Sequence, residues 1–180
     1  MAGFVMSMII LFIYILAGIK FGEWSEFEKY YPTLLYLIIG DLLAQFLLYE
    51  HSLWMFHPID PIGKFFHLNH TFIALLKMAV HYTVTIAIFI GRLPKGLGGQ
   101  VFSVLMWTAI YGVNEFITNF FGGLTYHRGW HFGWDIAFNL IMFTMLIIHY
   151  KRPLAAWILT GPIIITLWMI FDIPLSVLKE

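Results

Sequence analysis

Long apolar runs, rather than alternating apolar and polar positions, dominate the pattern of this chain. Six such blocks cover roughly residues 3–20, 31–49, 68–91, 100–121, 133–150 and 154–177, each close to the ~20 residues that a helical bilayer crossing needs. The breaks between them carry helix-ending chemistry. KFGEWSEFEKYYP is charged and closes on Pro32, GRLPKGLGGQ is rich in Gly and Pro, and HYKRP puts basic residues at a helix C-terminus ahead of Pro153. Pro162 falls inside the sixth block and should kink it, because proline removes one ladder hydrogen bond. The pattern predicts an all-α, polytopic transmembrane bundle of six helices forming one domain. Five helices is the alternative, because Lys20 leaves the first block near the minimum length. That block, MAGFVMSMIILFIYILAG, lacks the basic start of a cleavable signal peptide and reads as a retained span.

Composition agrees. The chain is 61% hydrophobic, 19% aromatic and 11% charged, with a mean hydropathy of +0.83, whereas a soluble domain is about a quarter charged. Ten basic and ten acidic residues cancel, which leaves no electrostatic case for nucleic acid. Without cysteine there are no disulfides and no thiolate ligands. No nucleophile elbow, dinucleotide fingerprint or phosphate loop is present, and KGLGG lacks the spacing of a Walker motif. With six spans, Lys20, Lys29, Arg92, Lys95, Lys151 and Arg152 fall on one side, against Lys64, Arg128 and Lys179 on the other. The bias of basic residues toward the cytoplasm then places both termini outside. The two histidine-bearing connections, around His51 and His57 and around His127 and His131, share that outer side.

Charge within a span costs roughly 2.5–3.5 kcal/mol on insertion scales, so each instance needs a partner or a purpose. The second block carries Asp41 and Gln45, the third His70, Lys77 and His81, the fourth Tyr111, Asn114, Glu115, Thr118 and Asn119, and the fifth Asn139 below Asp135. At ~1.5 Å per residue, Asp41, Lys77, Glu115 and Asn139 each lie roughly 9–14 Å below the outer ends of their spans. Four helices thus contribute to one polar layer. Lys77 is expected to pair with Glu115 or Asp41, and the surplus carboxyl to be protonated, paired with His81, or wet. Two readings stay open: a structural salt bridge that locks the bundle, or a ligand- or proton-binding cavity lined by Asp41, Lys77, His81, Tyr111, Glu115 and Asn139. Trp107 and Tyr111 share the Glu115 stripe and are the aromatics placed to line such a cavity.

In HRGWHFGWD a four-residue step repeats, and on a continuous helix His127, His131 and Asp135 would stack on one face. Imidazole and carboxylate suit zinc or iron. Three ligands in a line with ~6 Å between neighbours cannot converge on one ion unless the helix breaks, as Gly129 or Gly133 could allow. With all three as ligands, Glu115 or His70 could serve as base or fourth ligand; a site using two of them, closed by His67 or His70, is geometrically easier. Otherwise these residues cap a helix start amid the interfacial Trp130 and Trp134.

YYPTLLYLIIGDLL, LNHTF, TYHRGWHFGW, FNLIMF and HYKRPLAAW together resemble a family of small multi-pass membrane proteins from endospore-forming Gram-positive bacteria. The resemblance covers roughly residues 28 to 178, and its most specific parts are Y-H-x-G-W and H-x-K-x-P-L-L/A-A-W. It implies an all-helical protein of the cytoplasmic membrane and brings no catalytic residues. The family pattern carries a small polar residue where Asp135 stands, so His131 and Asp135 depart from it and His127 matches it. The sequence thus favours a binding or transport protein for a small polar or amphipathic ligand, or for protons, over an enzyme. A metal-dependent lipid hydrolase and a structural subunit, partnered by its own copies or by a membrane complex, are the alternatives.

Overall fold

The computed structural model describes residues 2–58 and 69–174. Its frame is six helices: α1 (Ala2–Phe21), α2 (Phe27–Leu47), α3 (His70–Phe89), α4 (Leu97–Phe120), α5 (Phe132–Lys151) and α6 (Pro153–Ile170). Five are long and apolar enough to cross a membrane, and the first contributes the apolar stretch Met8–Phe21. This is an all-α, multi-pass membrane bundle. Large apolar side chains point outward along every helix, as lipid as solvent requires. The helix bounds differ from the sequence reading where proline is concerned. α2 begins at Phe27 and carries Pro32 within it, while α6 runs through Pro162 and stops at Ile170. Phe171 and Asp172 (φ +45°) turn the chain there, ahead of Pro174.

α5 is the central helix, packed on α4, α6 and α2, while α1 lies against α3. The core on the side of the α5–α6 connection is aromatic: Phe143, fully buried, meets Phe89, Tyr111 and Trp107. Close backbone approach needs small residues. A Cβ at Gly112 would stand 2.5 Å from Ile136 Cδ1, which is why α4 and α5 can touch there. Polar ties fix the same end: Lys151 Nζ donates to Gln100 Oε1 (2.6 Å), and His149 hydrogen-bonds Thr33 (3.1 Å) while stacking on Tyr36.

Two features break the helical pattern. Within α3, Lys77–Tyr82 is a π-helix, with one extra residue per turn. At the opposite end from the α5–α6 connection, two three-residue strands pair antiparallel: β1 (Trp54–Phe56), between α2 and α3, and β2 (Leu124–Tyr126), between α4 and α5. The register sets Trp54 against Tyr126 and Phe56 against Leu124. The two histidine-bearing connections thus hydrogen-bond to each other. Residues 59–68, which include Lys64 and His67, and Lys179 are outside the described residues.

His51, at the foot of this cap, is 8% exposed, and burial together with the nearby Arg128 lowers its pKa from the ordinary value. A histidine that binds its proton more weakly when folded loses stability as pH falls through the unfolded value of ~6.5. The protection factors of the His127 and Trp130 amides, both hydrogen-bonded in the cap, should therefore fall between pH 7 and 5.5 once the slower intrinsic exchange at low pH is divided out. The fall should shrink in His51→Gln.

Candidate functional site: a polar cavity inside the bundle

The polar layer exists and opens on a cavity of about 230 Å³ lined by Asp41, Lys77, Tyr111, Glu115, Asp135 and Asn139. Each acid is held by neutral donors. Tyr82 donates to Asp41 Oδ2 (2.6 Å), and Gln45 Nε2 to Asp41 Oδ1 (3.2 Å). Asn139 Nδ2 donates to Glu115 Oε2 (2.7 Å). Trp130 Nε1 donates to Asp135 Oδ1 (2.7 Å), and the Tyr126 hydroxyl to its Oδ2. Tyr111 is tied to Thr85 (2.8 Å).

Lys77 overturns the pairing expected from sequence. It makes no ion pair among the described residues, where Lys29–Glu26 is the pair formed. Its ammonium sits over the Phe56 ring, 4.1 Å from the centroid. The π-helix supplies the reason. A five-residue step from Lys77 reaches Tyr82, so Tyr82 faces Asp41 and occupies the direction an α-helix would have given to His81. His81 instead stacks on Tyr14 of α1 (4.2 Å) and is not part of the cavity wall. Trp107, expected to line the cavity with Tyr111, is likewise not part of its wall and is buried against Phe89, Tyr111 and Phe143.

His127, His131 and Asp135 are not brought together as ligands. Arg128 (φ +54°) and Gly129 (φ +83°) form a tight turn closed by Trp130 N–H on His127 C=O (3.0 Å), the double left-handed pattern of a type I′ turn. HRGW is therefore a reversal, and only the second tetrapeptide enters a helix. His127 faces Thr125 (3.0 Å), and His131 caps α5, its Nδ1 accepting from Gly133 N–H (3.1 Å). Asp135 turns inward and clamps Tyr126 and Trp130. Burial and this carboxylate push the Tyr126 hydroxyl well above the ordinary tyrosine range, so it remains a donor. His70 accepts from Phe56 N–H (3.0 Å) and stacks on that ring. Among the described residues, no three His, Asp or Glu side chains form a metal-holding group.

Leu53, Trp54, Phe56, Leu124 and Trp130 wall the capped end of the cavity, and His127 and His131 are not among its lining residues. Its larger part is apolar and continues between α2 and α6. Sequence reasoning missed this part, because each residue there reads individually as lipid-facing. The signal was Gly40, one residue before Asp41, which leaves open space beside the acid. Comparison of the chain with family models, with curated proteins and with solved structures gives no match.

Proposed function

We propose that the protein binds a small amphipathic molecule in this intramembrane cavity and carries it across the bilayer. The supporting observation is Lys77. A structural salt bridge would join it to an acid, yet among the described residues its ammonium meets the Phe56 ring and no carboxylate, while Asp41, Glu115 and Asp135 are held by neutral groups. Retaining an unpaired charge within a span is costly and marks a binding group. The basic-residue bias and the sequence resemblance support a bacterial cytoplasmic membrane with both termini outside.

Replacing Lys77 by Met is the test. Thermal unfolding in maltoside micelles, with and without a bacterial polar lipid extract, should give an unchanged or higher Tm without lipid, since the insertion penalty of lysine disappears. The upward shift that lipid gives the wild type should vanish. An equal lipid shift in both proteins, or a variant that unfolds more easily, would reassign Lys77 to scaffold.

A further inference from the structure

The cavity has a shape and a charge pattern that narrow its occupant. We infer that it takes a single-chain zwitterionic amphiphile, one whose head carries both an anionic oxygen and a cationic nitrogen, entering sideways from the bilayer between α2 and α6. This rests on the binding reading above and names the ligand class for the same site.

The head group follows from the polar end. One ammonium and three carboxyls line the same space, and no contact between opposite charges neutralises them among the described residues. Lys77 offers donors to an anionic oxygen. Glu115, which among the described residues accepts from Asn139 alone, has lone pairs left for an ammonium, and Asp41 lines the same cavity. A purely anionic head would satisfy Lys77 but meet the carboxyls, and a purely cationic head would meet Lys77. A head with both signs gives Lys77 an anionic partner and Glu115 a cationic one, so that neither charge is left alone in a low-dielectric site, where an uncompensated charge is the costly state.

The tail follows from the rest of the wall. On α5 the lining runs from Asp135 to Leu146, and on α6 from Trp157 to Trp168, roughly 16 Å along each helix at ~1.5 Å per residue. Beyond the polar layer these positions are apolar, with Met142, Met145, Ile163 and Ile164 among them. A volume of about 230 Å³ lies below the usual ~300–1,000 Å³ of ligand pockets, so it holds the head and the start of a single chain, with the rest of the tail left in lipid through the α2–α6 gap.

The route follows from helix packing. α2 and α6 both pack on α5 and hardly on each other. They meet where Tyr36 bonds Thr160 (2.7 Å) and packs edge-on against Trp157. Further toward the cap, Gly40 and Leu43 of α2 face the same space as Ile164 and Leu167 of α6. Gly40 is exposed, and a Cβ there would meet nothing within 4 Å. The gap is a slot open to lipid.

The experiment is binding by native mass spectrometry and thermal shift in maltoside, using lysophosphatidylethanolamine, lysophosphatidylglycerol, dodecylamine and free phosphoethanolamine as probes. Lysophosphatidylethanolamine should bind at least tenfold tighter than the other three. Lys77→Met and Glu115→Gln should each weaken it about tenfold. Gly40→Phe, which fills the slot, should abolish binding while leaving Tm without ligand unchanged or higher. Equal binding of every amphiphile, or tight binding of tail-free phosphoethanolamine, would overturn the zwitterion assignment and leave the cavity reading standing. Undiminished binding to Gly40→Phe would overturn the lateral route. No binding of any probe to the wild type would overturn both this inference and the reading beneath it.

Discussion

Asp135→Ala is expected to destabilise the protein by about 2–4 kcal/mol, because one carboxylate holds two donors from outside its own helix. Hydrogen bonds to a charged group contribute about 1.5–3 kcal/mol each, and here Tyr126 belongs to β2 and Trp130 to the turn before α5. Removing the carboxylate strands a buried indole N–H and a phenol at once. For a chain of this size the loss corresponds to a fall in Tm of roughly 5–12 °C. Asp135→Asn retains one acceptor oxygen and should lose about half as much. In a double-mutant cycle, Tyr126→Phe should cost far less on the Asp135→Ala background than on the wild type. Additive losses would mean that the two side chains are independent.

Phe143→Ala should be the most damaging change in the apolar core. The ring is wholly buried and meets Phe89 and Tyr111 with centroids 5.0 Å away in each case. A Phe→Ala change in a soluble core costs about 3–5 kcal/mol, part of it from transfer out of water. Lipid is already apolar, so that part largely drops out and the lost packing remains. We expect about 2–3 kcal/mol, read as a lower Tm in maltoside, and less than about 1.5 kcal/mol for Phe143→Leu. A loss as small as that of Leu would show that α4 and α5 close over the gap.

The polar layer was legible because rise per residue is a fixed property of a helix. Counting from the span ends placed Asp41, Lys77, Glu115 and Asn139 at one depth, and the structure has all four lining one cavity. Direction around the helix axis was less legible. It depends on every residue being in an α-turn, and the π segment in α3 exchanged Tyr82 for His81. The cap was illegible for another reason. Strands of three residues have no periodicity to read, and their pairing joins segments about seventy residues apart in the chain. HRGW shows the same limit on a smaller scale: a four-residue repeat looks helical until Gly129 adopts a positive φ and reverses the chain.

The cap also constrains how the molecule can move. Because β1 lies in the connection that follows α2, and β2 in the connection that joins α4 to α5, their pairing ties those two connections together at this end. Passage through that end requires two helical hairpins to part as rigid arms. Whatever occupies the interior is thereby coupled mechanically to the tilt of half the bundle.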